Sequence, residues 1–259
     1  MPSTPARTAV ITGATSDRGI GMTVAQRYAR EGWAVVILDL DGERSAKVAA
    51  DIGNQFGVPA YGYAVNVTSE DSVGAAQQAV AAEVASGALP PVGALANIAG
   101  ITSPVPFLDT TLELWNTVMA VNATGTYLVT KAFLPDMIDG GYGRIVNMSS
   151  VSAQQGGGVF GKTPYSSAKA AVIGFTRSLA RELGPTGITV NAIAAGAVDT
   201  DIRVQGTTPE LEASIVASVP LGRQASVDDV TALFAFLASE EAGYITATTQ
   251  NLNGGSYIA

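Results

Sequence analysis

Short runs of apolar, often β-branched residues alternate along the chain with longer stretches whose apolar positions recur at helical spacing. The short runs predict strands at Thr8–Thr12, Ala34–Asp39, Ala60–Asn66, Gly93–Asn97, Arg144–Ser149, Ile188–Ala194 and Thr248–Leu252. Several are apolar without alternation, the pattern of strands covered on both faces. Between them the periodicity predicts helices at about Gly19–Glu31, Glu43–Gln55, Glu70–Ser86, Thr111–Ile138, Pro164–Leu183 and Val227–Ser239. Regular strand–helix alternation joined by right-handed crossovers predicts an α/β fold: one domain over residues 1–259, with a doubly wound, seven-stranded parallel sheet and helices on both faces. Two loops interrupt the rhythm, residues 151–163 and 199–220. Both are expected to face one crevice at the carboxyl edge of the sheet, the second carrying a short amphipathic stretch, Pro209–Ala217.

Composition narrows the chemistry. Of the 259 residues, 47% are hydrophobic and 14% charged, which excludes a disordered chain. The net charge of −8 opposes nucleic acid and anionic lipid as partners. With no cysteine and no histidine, thiolate sites and the usual zinc ligand and general base are all missing, so no metal is expected and any proton transfer must use another group. No apolar run approaches a signal-peptide core or a membrane span, and a cytoplasmic location is expected.

Candidate chemistry begins where the first strand meets the first helix, at Thr12-Gly13-Ala14-Thr15-Ser16-Asp17-Arg18-Gly19-Ile20-Gly21. Glycines there permit a tight turn and close approach of a pyrophosphate to helix N-terminal amides. Gly13, Asp17, Arg18, Gly19, Ile20 and Gly21 are the candidate contacts. Asp39 ends the second predicted strand, 18 residues after Gly21, where a carboxylate accepts both ribose hydroxyls and repels a 2′-phosphate. Arg18 argues the other way, since a cation beside the turn can pair with that phosphate. Asp39 decides the reading for NAD over NADP. Read alone, Asp39 is equally a solvated turn acid before Asp41-Gly42.

Tyr165 and Lys169 stand four apart near a helix start, so both side chains emerge on one face. An ammonium a few Å away lowers a tyrosine from its ordinary value near ~10, and such a phenolate can take an alcohol proton. Asn147-Met148-Ser149-Ser150-Val151 ends a strand in the same half of the sheet, where a hydroxyl can hold a substrate oxygen.

Together, the glycine turn, Asn97-Ile98-Ala99-Gly100, Asn122, Ser149-Ser150 and Tyr165-Ser166-Ser167-Ala168-Lys169 resemble the short-chain dehydrogenase/reductase family in its compact single-domain, Rossmann-type form. The resemblance covers almost the whole chain. It implies Tyr165 as general acid/base, with Lys169 lowering its pKa and bonding the nicotinamide ribose. Ser150 would orient the substrate oxygen, and Asn122 would bend a helix and hold a water linking Lys169 to solvent. Asn97 matches the motif supporting the central sheet beside the cofactor, with Ala99 and Gly100 next to it. Asn66 and Val67 occupy the adenine position, an amide standing where the family commonly has an aspartate. Gly196, Val198 and Thr200, in Ala195-Gly196-Ala197-Val198-Asp199-Thr200, match the segment receiving the nicotinamide amide, with Ala195 in place of the usual proline.

Two departures from the family pattern follow. The glycine turn is two residues longer than usual, so Ser16-Asp17 must bulge. The Ser150-to-Tyr165 spacing is also two longer, which keeps Ser149 and Ser152 as rivals for the hydroxyl role.

The activity implied is reversible hydride transfer between NAD and a secondary alcohol or ketone, expected to be a small polyol, sugar-derived or hydroxy-acid compound. An alternative is a 3-oxoacyl thioester on an acidic carrier protein. Related fatty-acid reductases dock that carrier with basic residues near the end of the helix preceding the Ser-bearing strand, where this chain has Asp136 and Asp139. A non-catalytic NAD-sensing protein is the alternative of another class. The resemblance also implies a homotetramer using helices around 111–138 and 164–183 and residues 253–259.

Overall fold

The computed structural model describes residues 7–201 and 207–258. Its centre is a seven-stranded, all-parallel sheet in the order β3-β2-β1-β4-β5-β6-β7. The strands are β1 (Thr8–Thr12), β2 (Ala34–Asp39), β3 (Ala60–Ala64), β4 (Val92–Asn97), β5 (Arg144–Ser150), β6 (Thr189–Ala195) and β7 (Thr249–Leu252). The chain enters mid-sheet at β1, winds out to β3, returns to β4 beside β1, and winds to the other edge. That reversal opens a crevice at the carboxyl ends of the strands.

Every residue of β1, β4, β5 and β6 is buried, which accounts for the strands' non-alternating sequences. Alternate residues feed two cores. Ala9 and Ile11 of β1 point to a core with Val24 and Tyr28 of α1 (Ile20–Arg30), Val48 of α2 (Gly42–Phe56) and Phe234 of α9 (Val227–Ala238). Val10 points to the opposite core with Val73 of α3 (Glu70–Ser86), Phe133 of α5 (Gly125–Asp139) and Ala180 of α7 (Thr163–Leu183). The remaining helices are α4 (Leu112–Met119), α6 (Ser152–Gln155) and α8 (Pro209–Ala217).

Local chemistry sets most helix ends. Asp41, Ser69 and Thr111 accept the N–H of Arg44, Ser72 and Leu114, and Ser226 with Asp229 forms a reciprocal capping box. By contrast, α1 begins at Gly19 with no side-chain cap.

Several predicted boundaries change, most by a single residue. β3 stops at Ala64 rather than Asn66, because the Asn66 amide oxygen turns back to accept the N–H (3.0 Å) and O–H (2.8 Å) of Thr68. β5 and β6 each run one residue further than expected, pairing Ser150 with Ala195. The single helix expected over 111–138 is divided into α4 and α5 by a π turn, Ala120–Thr124. The 199–220 loop carries α8 as expected, but residues 202–206 of it, like Ala259 of the 253–259 segment, lie outside the described residues. Among the described residues, no helix is long and apolar enough to cross a membrane.

The cofactor edge of the sheet depends on one close backbone approach. A Cβ on Gly62 of β3 would stand 2.1 Å from the Ser45 carbonyl oxygen, so α2 lies directly on the strand. Gly62→Ala should force these elements apart and destabilise the fold by about 1–3 kcal/mol. A lowered urea midpoint with unchanged slope is the expected measurement.

Candidate active site

A crevice of about 960 Å³ runs along the carboxyl edge of the sheet from Asp39 past Gly13 and Gly100 to Tyr165 and the 156–161 loop. At one end, Gly13 adopts φ +70°, and a Cβ there would lie 2.8 Å from the Ala99 Cα. Only glycine lets the turn rest on the end of β4. The Thr12 hydroxyl accepts the N–H of Ile98 (3.0 Å) and Ala99 (3.1 Å), tying β1 to β4 at the floor of the crevice. Gly19 and Ile20 line the crevice, so the uncapped amino end of α1 is open to it.

Asp39 ends β2 within this pocket. One carboxylate oxygen accepts both the N–H (3.0 Å) and the hydroxyl (2.9 Å) of Thr15, and the other accepts Leu40 N–H (2.8 Å). These bonds fix the carboxylate against the glycine turn while leaving lone pairs for further donors. Thr15 was not singled out from the sequence, nor was Arg44, whose guanidinium binds the Thr15 carbonyl (2.6 Å) and Asp17 (2.8 Å). Neither has a local sequence signal, since each pairing joins segments more than twenty residues apart.

At the other end, the Ser150 hydroxyl stands beside the Tyr165 phenol, near enough to favour its ionised form. Ser150 Oγ also accepts the Ser152 N–H (3.1 Å). Ser149 points away and donates to the Lys169 carbonyl (2.9 Å), whereas Ser150 and Ser152 both line the crevice near Tyr165. Tyr165 and Lys169 do share one face of α7, with Nζ 5.7 Å from the tyrosine ring centre. Lys169 is 3% exposed and donates to the Met148 carbonyl (2.8 Å).

The electrostatics correct one expectation. Burial pushes the Tyr165 phenol above its usual value, opposed by the Ser150 hydrogen bond rather than by Lys169. Burial also lowers Lys169, to about 8. Desolvation penalises phenolate and ammonium alike, and it sets the direction of both shifts.

Asn122 sits in the π turn, fully buried, donating to the carbonyls of Ile101 (2.9 Å) and Val118 (3.0 Å). Its Oδ1 has no hydrogen-bond partner among the described residues. That oxygen and Lys169 Nζ face the same glycine, Gly100, whose added Cβ would lie 2.6 and 3.3 Å from them. An orphaned buried acceptor beside a buried amine fits a bound hydroxyl or water. The open α1 terminus, the close glycine contacts and this orphan atom together fit a dinucleotide lying along the crevice.

Asn66, Val67, Ala99, Gly100, Gly196, Val198 and Thr200 line the crevice as expected. Four expected contacts do not. Asn97 is buried, donating to Thr130 (2.9 Å) and Asn147 (2.8 Å), where it braces β4 against β5 and α5. Gly21 packs on the turn, its Cβ position 2.3 Å from the Gly13 carbonyl oxygen. Asp17 pairs with Arg44, and Arg18 pairs with Asp199 (2.5 Å), both on the outer side of the turn.

A family model described as enoyl-(acyl carrier protein) reductase matches residues 13–256. The chain is 40% identical over 252 residues to an uncharacterized short-chain type dehydrogenase/reductase of Sinorhizobium fredii, covering 97% of this chain and 98% of that one. It is 40% identical over 251 residues to 3-oxoacyl-(acyl-carrier-protein) reductase FabG of Aquifex aeolicus, covering 97% of each. It is 36% identical over 254 residues to a (3R)-3-hydroxyacyl-CoA dehydrogenase of Mus musculus, covering 96% of each.

The depressed Lys169 has a consequence for stability. Between pH 8 and 10.5 the unfolded chain keeps a proton on Lys169 that the folded chain has lost, so this group's contribution rises with pH across that window. In denaturant titrations at stepped pH, the stability of the native chain relative to Lys169→Met should increase from about pH 8 to 10.5. A flat difference would contradict the burial of the amine.

Proposed function

Because this chain belongs to the short-chain dehydrogenase/reductase family, we propose that it moves a hydride between a nicotinamide dinucleotide, NAD in preference to NADP, and a small secondary alcohol or ketone. One observation carries the reading: the hydroxyls of Ser150 and Tyr165 stand together in the crevice with the buried Lys169 amine 5.7 Å from the tyrosine ring centre. A nicotinamide bound beside them would supply or accept the hydride.

The chain's own residues then divide the work. Asp39 receives the adenosine ribose and repels a 2′-phosphate, while the open end of α1 faces the pyrophosphate. Val198 and Thr200 border the nicotinamide end. Ser150 holds the substrate oxygen against Tyr165. Burial keeps Tyr165 protonated at neutral pH, so it donates a proton to the ketone oxygen during reduction. In the reverse direction it must accept that proton, and the Lys169 cation favours the phenolate so formed.

Gln155, Val159, Phe160 and Ile215 give the substrate end a mixed polar and apolar lining. Lys169 is the one cation among the described lining residues, which favours an uncharged polyol, sugar-derived or ketone substrate over a hydroxy acid. A second reading, reduction of a 3-oxoacyl thioester, is favoured by the names of the relatives. Against a protein-borne thioester, Asp136 and the exposed Asp139 close α5 where an acidic carrier needs cations. We further propose a homotetramer. Phe107 (65% exposed), Leu108 (93%) and Leu112 (74%) form an apolar surface at the start of α4 that supports association. Light scattering tests it, and a monomeric mass would refute it.

Tyr165→Phe should lower turnover by about 10²–10⁴-fold while leaving dinucleotide affinity within about twofold. Full turnover in this variant sinks the assignment. Initial rates on polyols, hydroxy acids and a 3-oxoacyl thioester, with each dinucleotide, rank the substrate readings. Tight NAD binding without turnover on any of them would favour a sensor.

A further inference from the structure

Arg18 lies on the turn whose Thr15 hydrogen-bonds Asp39, the carboxylate that the dinucleotide reading sets at the adenosine ribose. It is not available there. Its guanidinium donates to Asp199 (2.5 Å), and its Nε lies 3.9 Å from Asp201. The same Asp201 carboxylate accepts the backbone N–H of Arg18 (3.2 Å) and the hydroxyl of Ser16 (2.9 Å). Both acids belong to the segment after β6, held in place by Asp199 N–H on the Ala225 carbonyl (3.0 Å) and by Ala225 N–H on the Ala197 carbonyl (2.9 Å). The other cation beside the turn, Arg44, is occupied in the same manner by Asp17 and the Thr15 carbonyl. Among the described residues of the turn and α2, Arg18 and Arg44 therefore each already have a carboxylate partner.

We propose that Asp199 and Asp201 are cofactor-specificity residues that act through Arg18, holding it away from the ribose so that a 2′-phosphate finds the Asp39 carboxylate and not the Arg18 cation. The inference rests on the dinucleotide reading of the crevice and deepens it. A guanidinium released from these acids can swing to the ribose side and form charge-assisted bonds to a phosphate. The pairs are more than a third exposed, so solvent screens them and releasing Arg18 has a moderate effect. NAD carries no group for Arg18 to bind at that position, so its affinity is nearly indifferent to the change.

The experiment measures equilibrium binding of NAD and NADP to the full chain by calorimetry, for the native protein, Asp199→Ala/Asp201→Ala, and that pair combined with Arg18→Ala. The double variant should bind NADP about three- to tenfold more tightly, with NAD within about twofold. Adding Arg18→Ala should abolish the gain. Unchanged NADP affinity in the double variant overturns the proposal. So does a gain that survives Arg18→Ala, which would mean that the acids act by direct repulsion. Retained NAD binding certifies the fold of each variant; if the double variant binds neither dinucleotide, Asp199→Asn/Asp201→Asn is read by the same criteria. Failure of the native chain to bind either dinucleotide would strike the dinucleotide reading itself, a result distinct from an unaltered ratio.

Discussion

A lysine amine kept almost entirely from water is the constraint around which the site is organised. Lys169 is buried by the same packing that anchors α7 to the sheet, and an ammonium in such a place needs oxygen neighbours. The carbonyl of Met148 is one, supplied because β5 extends to the carboxyl edge of the sheet. The Asn122 oxygen, without a hydrogen-bond partner among the described residues, lies on the same side of Gly100 as the amine, and the missing side chain leaves both groups facing one space. Moving the amine outward would relieve its desolvation. It would also remove from the described lining of the crevice its one cation.

A dry polar framework keeps these groups in register. Asn97 on β4 and Asn147 on β5 are bonded side chain to side chain, Asn97 also to Thr130 of α5 and Asn147 to Thr176 of α7. This network links the two central strands to the helices on one face, and interior hydrogen bonds of this type are costly to leave half-made. At the other end, Thr12, Thr15 and Arg44 perform the same task for the glycine turn. The crevice is thus a seam between two bonded frames, each pinned to a different strand end.

Sequence periodicity carried the sheet, its parallel sense and most helix bounds, because buried strands and amphipathic helices obey strong local patterns. The shared face of Tyr165 and Lys169 was legible for the same reason, four residues being about one helical turn. The partners of Asp39, Arg18 and Ser16 were not. Ser16 meets Asp201 across 185 positions, a pairing that no local window contains. Asn97 appeared at the cofactor in the sequence reading because its motif neighbours do line the crevice, yet strand alternation turns its own side chain inward. The sign of the Tyr165 shift was also hidden, since helical spacing gives the direction of a side chain but not how much water reaches it.

The π turn at Ala120–Thr124 carries a surplus residue relative to an ordinary helix. Deleting one residue there would let α4 run into α5 with regular bonding and little change of phase, because the turn absorbs its surplus residue locally. What would vanish is the bulge that sets the Asn122 amide against the carbonyls of Ile101 and Val118. A single-codon deletion here would thus make the helix more regular while costing the crevice one of its buried polar groups, so regularity and fitness for purpose pull in opposite directions along this segment.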